Sequence, residues 1–157
     1  MIIIADASPL VALAVCDSLE LLEQLFTEIK VSQTVFDEVT RSNKPGATEL
    51  AVYLKGKTVE VSLDNYIIGG GNLDDGELTS IALYKNLNAD YLLIDEKAGR
   101  KVAKLNQVNI IGSLGVLIEA KRRGLISQLK PQIEQLRQSK VHFGEALLNH
   151  ALTMVGE

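Results

Sequence analysis

The chain has 157 residues, 46% of them hydrophobic and 23% charged, which is the balance of one ordinary folded domain and not of a disordered or fibrous chain. A net charge of −4 argues against coating nucleic acid through bulk electrostatics and leaves only a local basic patch for that purpose. No apolar run approaches the roughly 20 residues that span a bilayer, no basic stretch leads into an apolar N-terminal segment, and the one cysteine, Cys16, sits among apolar neighbours as a small buried hydrophobe. The expectation is a cytoplasmic protein without internal disulfides and without membrane contact.

The chain opens MIIIADASPL. Its apolar run reads as a strand covered on both faces, with Asp6 at the carboxyl end and Ser8 followed by Pro9 as the start of a helix. In open α/β sheets, ligands bind in the crevice beyond the carboxyl ends of the strands. Asp6 is therefore either site chemistry or an aspartate satisfying turn amides. SLELLEQLF carries apolar residues at helical spacing, EIKVS is a short strand, and Ser32 caps a helix over QTVFDEVTRS. ATELAVYLKG is a helix closed by Gly56, and TVEVS alternates as an edge strand does. The nearest approach to a linker is IIGGGN at 67–72. LDDGELTSIALYKNL then predicts a helix, ADYLLID a buried strand, EKAGRKVAKL a helix and NQVNIIG a strand. SLGVLIEAKRRG, SQLKPQIEQLR and HFGEALLNHALTMV close the chain as helices. This alternation predicts an α/β fold: a mainly parallel central sheet flanked by helices, wound by right-handed crossovers.

Asp6 and Asp95 occupy equivalent places, each ending an apolar strand ahead of a helix, and neighbouring strands would make the two carboxylates converge. In the helix over 33–41, Val35, Phe36 and Val39 mark the buried stripe, Glu38 lies at its margin, and Asp37 points almost opposite. Glu77 opens a helix whose Leu78, Ile81 and Ala82 face the core. It also stands three residues after Asp74, the spacing of a capping box, so a structural role competes with a functional one. Clustered carboxylates repel one another unless a cation offsets them, and oxygen-only ligands suit Mg²⁺ or Mn²⁺. His142 and His150, eight residues apart and with no ligating partner at suitable spacing, do not form a zinc site. In EKAGRKVAKL, the side chains Lys97, Arg100, Lys101 and Lys104 cover about a third of the helix circumference. This basic stripe beside Asp95 is either a solvated face or a track for a phosphodiester backbone. Lys121, Arg122 and Arg123 extend it or answer a helix dipole.

The motifs IIIADASPL, VFDEV, DDGELTSIAL and YLLIDEKAGRKVA, in that order over the first two-thirds of the chain, resemble those of the PIN-domain family of metal-dependent ribonucleases. Many members of that family are toxins of prokaryotic toxin and antitoxin pairs. The DASPL start, the GE-led third motif and the IDE fourth motif are similar to one branch of it. The resemblance implies a single PIN-like domain over 1–157, with an acidic-site core over about 1–115 and C-terminal helices over about 113–156. It implies an endoribonuclease whose Asp6, Glu38, Glu77 and Asp95 bind one or two Mg²⁺ or Mn²⁺ ions and are catalytic, with Glu96 as an alternative ligand. Ser8 matches the small hydroxyl that often follows the first acid, and with Lys97, Arg100, Lys101 and Lys104 makes up the expected RNA-binding set. Partners implied in the same way are RNA, a second copy of the chain in a homodimer, and a cognate antitoxin seated near the acidic pocket. Phe143, Leu147 and Met154 on the last helix are either a docking face for such a partner or core. Two positions depart from the family pattern: Glu77, where aspartate is commoner, and Leu93, where threonine is frequent. They motivate the alternative of a degenerate PIN-fold module that binds RNA or protein without cleaving it.

Overall fold

The computed structural model describes residues 1–64 and 67–157. Its sheet is built outward from β1 (Ile2–Ala5), an all-apolar strand whose last three residues are buried. β2 (Glu28–Ser32) pairs with it on one side and β4 (Tyr91–Leu93) on the other. β3 (Thr58–Val59) lies beyond β2 and β5 (Ile110–Ile111) beyond β4, giving the order β3-β2-β1-β4-β5 with every pairing parallel. The mainly parallel sheet expected from the strand and helix alternation is thus a wholly parallel one. Both edge strands are shorter than their sequence patterns: in TVEVS, pairing stops after Val59.

Parallel neighbours need crossovers, and helices supply them. Between β1 and β2 lie α1 (Ala7–Val15) and α2 (Glu20–Leu25); between β2 and β3 lie α3 (Gln33–Val39) and α4 (Ala47–Tyr53). α5 (Asp75–Leu87) leads into β4 and α6 (Lys97–Leu105) leads out of it. After β5 come α7 (Ser113–Arg122), α8 (Lys130–Gln138) and α9 (Glu145–Met154). The period of two along the strands divides the core. Ile3, Ala5 and Leu93 join a cluster with Leu10, Leu22, Val35, Leu117, Ile133 and Leu148. Ile4, Leu92 and Ile94 join a second cluster with Ile81, Leu83, Val102 and Ala103. The C-terminal helices therefore pack on the same face as α1 to α3, and α5 and α6 cover the other.

Two helix starts follow their sequence signals. The Ser32 hydroxyl accepts from the Val35 amide at 3.1 Å. Asp74 Oδ1 accepts from the Glu77 amide at 2.8 Å while Glu77 Oε2 accepts from the Asp74 amide at 3.3 Å, a complete capping box. α1 differs from its expected start: it begins at Ala7, so Asp6 and not Ser8 holds the N-cap position, and the Asp6 carboxylate makes no cap bond.

Strand order reverses between β1 and β4. The chain leaves β1 toward β2 and β3, then returns to add β4 and β5 on the opposite side. Helices α1 and α6, which follow these two strands, lie on opposite faces of the sheet, and a crevice opens between them at the carboxyl ends. Because β1 is central, truncating it is expected to be costly: Ile4→Ala, at a fully buried position, should lower unfolding free energy in urea by about 2–5 kcal/mol. Val52→Ala, at a side chain 74% exposed, should change it by less than about 0.5 kcal/mol.

Candidate active site

The last rung between β1 and β4 is made by the residue after the strand: the Asp6 amide donates to the Leu93 carbonyl at 2.9 Å. This places Asp6, only 3% exposed, at the point where strand order reverses. Leu93 contributes its backbone there, while its side chain is in the core. Glu38 arrives on α3, half-buried as its place beside the apolar stripe predicts. Asp37 is exposed and accepts from Gln33 Nε2 at 2.8 Å. The start of α3 is tied to α5 by a 2.9 Å hydrogen bond between the Ser32 and Thr79 hydroxyls, which brings Glu38 opposite the first turn of α5.

At that first turn stands Gly76. A Cβ there would lie 3.2 Å from Glu38 Oε2, 3.4 Å from Asp74 Oδ1 and 3.5 Å from Asp6 Oδ1. Three carboxylates from separate stretches of the chain thus border one small cradle that the missing side chain leaves open. Glu77, buried, lies next to it with its carboxyl carbon 3.4 Å from where a Cβ on Gly99 of α6 would stand.

Burial pushes the Asp6 carboxyl from 3.8 up to about 7; the Ala7 amide opposes this, and the negative charges of Asp74, Glu77 and Glu38 add to it. The Glu77 carboxyl is also raised, first by burial and then by Asp74, with Glu96 and Glu38 adding to the effect against the Asp74 amide. No ion pair among the described residues engages Asp6, Glu38, Asp74, Glu77 or Glu96.

Asp95 is handled differently. Its Oδ1 accepts from the Ser113 amide at 2.8 Å and its Oδ2 from the Ser113 hydroxyl at 2.7 Å. Burial raises its carboxyl, and these two bonds, together with the Arg100 cation, act in the opposite direction. Arg100 is half-buried and donates Nη1 to the Ile94 carbonyl at 3.0 Å. The expected four acids therefore divide: Asp6, Glu38 and Glu77 share one electrostatic cluster, and Asp95 faces the start of α7. Asp95, Glu96 and Ser8 still line a common cleft of about 700 Å³, with Lys97 and Arg100 on its side. Of the basic stripe, Lys97, Lys101 and Lys104 are exposed, and Arg100 turns inward.

Asp74, read from sequence only as a helix cap, is a member of the cluster. Ser113, which the sequence reading passed over, is the partner of Asp95; its signal was its place at a strand-to-helix junction, the same place Asp6 and Ser32 hold. Lys44 and Lys140, both in clefts beside the site, carried no periodic signal because each lies between helices.

An all-oxygen donor set with an open cradle fits a hard divalent cation in its chemistry. Among the described residues no three His, Cys, Asp or Glu side chains are already drawn close enough to hold one, so loading would pull the carboxylates inward around Gly76.

The proton on Asp6 is linked to stability. The unfolded side chain ionises near 3.8 and the folded one near 7, so between those values the folded state carries the extra proton. Its stabilising effect is complete below about pH 4 and is lost as pH rises through 7, a span worth about 4 kcal/mol. Asp6→Asn should therefore have the higher melting temperature at pH 8 without divalent cations, and that advantage should shrink toward pH 4, as read by thermal unfolding across pH.

A family model described as a PIN domain matches residues 2–157. None of the curated proteins compared and none of the solved structures matches the chain. PIN domains are generally nucleases and typically use divalent metals. The parallel sheet of five strands and the match over nearly the whole length agree: the chain belongs to the PIN-domain family, with a nuclease-type fold.

Proposed function

We propose that the protein is a divalent-metal-dependent endoribonuclease that hydrolyses RNA phosphodiester bonds, with Mg²⁺ or Mn²⁺ held by Asp6, Glu38 and Glu77, Asp74 adding a further oxygen. The observation that carries this reading is the position of Asp6. It is a buried carboxylate facing Glu38 and Asp74 across the Gly76 cradle, with the charge of Glu77 also reaching it and no ion pair among the described residues to offset it. Asp95 serves from the rim of the same crevice, and Glu96 is the neighbouring acid whose charge reaches Glu77.

A bound cation would supply charge neutralisation at the phosphate and a more acidic water. The chain's own side chains do the rest. Asp6 gives up its proton to enter the site, so cation affinity rises with pH up to about 7. Ser8, half-exposed at the crevice, is placed to donate its hydroxyl hydrogen to a phosphate oxygen. Lys97, Lys101 and Lys104 draw the RNA backbone toward the cleft through their exposed cations, and Ser113 orients Asp95, with the Arg100 cation nearby also opposing the effect of burial on it. To this reading belong a role as the toxin of a toxin and antitoxin pair, a homodimer and a cytoplasmic setting. Leu147 and Met154, 51% and 45% exposed on α9, are apolar side chains that a second copy or an antitoxin would cover.

One observation favours a second reading. Glu77 completes a capping box and Asp95 is held by Ser113, so two of the expected acids have structural employment that a noncatalytic RNA- or protein-binding module would also keep. Incubation of mixed-sequence RNA with Mn²⁺ or Mg²⁺ separates the two. The nuclease reading expects cleavage that EDTA abolishes and that Asp6→Asn and Glu38→Gln reduce to background. It also expects Ser113→Ala, which removes one of the two hydrogen bonds that hold Asp95 and leaves the amide bond in place, to lower cleavage by roughly 10-fold. RNA binding without cleavage in any metal, equal in wild type and Asp6→Asn, would favour the module.

A further inference from the structure

The atoms around the Ser32 and Thr79 hydroxyls fix which way each one points. Thr79 Oγ1 lies 2.7 Å from the Asp75 carbonyl oxygen and 3.1 Å from that of Gly76. A carbonyl oxygen only accepts, so the one Thr79 hydroxyl hydrogen is committed to that pair. The 2.9 Å bond between the two hydroxyls then takes its hydrogen from Ser32. Ser32 Oγ in turn accepts from the Val35 amide at 3.1 Å. A directed chain of donors thus runs from the Val35 amide through Ser32 and Thr79 to the first carbonyls of α5.

Each end of this chain lies close to a member of the acidic cluster. Val35 stands three residues ahead of Glu38 on α3, and Gly76 and Glu77 are in the first turn of α5. Ser32 is only 1% exposed, so water scarcely competes for its hydroxyl. The chain also works against a force. The Glu38 charge raises the carboxyls of both Asp6 and Glu77, and the same repulsion pushes α3 away from the start of α5. Glu38 Oε2 nevertheless stands 3.2 Å from where a Cβ on Gly76 would lie.

We propose that Thr79 is a positioning residue for the cation site: through Ser32 it holds α3 against α5, keeps the cradle around Gly76 narrow, and so makes the site prefer a small ion such as Mg²⁺ over Ca²⁺. This role rests on the divalent-cation reading of the acidic cluster and adds to it the contact that decides which ion fits. Mg²⁺ demands oxygen ligands at about 2.0–2.1 Å in near-octahedral geometry, whereas Ca²⁺ accepts about 2.3–2.6 Å and a looser set. A cradle whose two walls are tied together suits the first ion, and one whose walls are free to part suits the second. Thr79 acts through Glu38, because its own hydroxyl hydrogen is already spent on the α5 carbonyls.

The test is Mn²⁺ binding at pH 8, read from the electron paramagnetic resonance signal of the free ion, with Mg²⁺ and Ca²⁺ as competitors. Thr79→Val keeps the shape of the side chain and removes the hydroxyl. It should weaken Mn²⁺ and Mg²⁺ binding by roughly 10-fold and Ca²⁺ binding by much less, so that the ratio of Mg²⁺ to Ca²⁺ affinity falls. Thr79→Ala, which removes the hydroxyl without filling its place, should show the same fall, and Thr79→Ser should return the ratio to the wild-type value. Ile81→Val, at a fully buried position on the same helix, loosens α5 without touching the hydroxyls and should leave the ratio unchanged. A smaller folded fraction lowers the number of sites and does not move this ratio.

An unchanged ratio in both hydroxyl deletions would overturn the inference, whatever happens to Mn²⁺ affinity alone. So would an equal fall in Ile81→Val, which would assign the effect to general loosening of α5. Asp6→Asn is titrated in parallel. Mn²⁺ binding that depends on Asp6, with a ratio indifferent to Thr79, sinks this inference alone. Binding that ignores Asp6, or no binding by the wild type, sinks the cation reading and this inference with it.

Discussion

The hydrogen bond from the Asp6 amide to the Leu93 carbonyl, 2.9 Å long, is the constraint from which the site follows. It extends the pairing of β1 with β4 one residue beyond the strand, and so carries a carboxylate to a place largely screened from water. Burial is the first cause of the raised Asp6 carboxyl. A chain that needed Asp6 only for its turn would let the side chain cap α1, and it does not. The surrounding elements accommodate the buried acid: α5 offers glycine at its first turn, and α3 is pinned so that Glu38 faces it.

Asp6 and Asp95 are two strand-end aspartates with the same sequence setting, both raised by burial, but with different partners opposing that rise. Asp95 has two donors on Ser113 and the Arg100 cation close by. Asp6 has one amide in its favour and three carboxylates against it. A cation has more to offer Asp6, which is why the proposed metal position centres on the Gly76 cradle and leaves Asp95 at the rim. The capping box that engages Glu77 does not remove it from the cluster, because one carboxylate has several lone pairs to share.

Much of this was legible in the sequence where the signal is local. The unbroken apolar strand IIIA, the Ser32 cap, the Asp74 and Glu77 box and the choice of Glu38 over Asp37 each follow from periodicity or spacing within one element, and the structure places them accordingly. What was not legible depends on contacts between distant segments. The Ser32 and Thr79 hydroxyls that register α3 on α5 are 47 residues apart, and Ser113 is 18 residues from Asp95. Arg100 looked like one more member of a basic face, because helical spacing reports the angle of a side chain and not the carbonyl it bends back to meet. The early start of α1 has the same origin: Ser8 carries the better capping side chain, but the pairing of Asp6 with Leu93 sets where the helix begins.

The most direct measurement of the central claim is a crystal of the protein soaked in Mn²⁺, with the anomalous difference map calculated at the manganese edge. A peak beside Gly76, bounded by Asp6, Glu38 and the Asp74 or Glu77 carboxylate, is the result this account predicts. Full manganese occupancy elsewhere on the molecule, with the Gly76 cradle empty at pH 8, would contradict it.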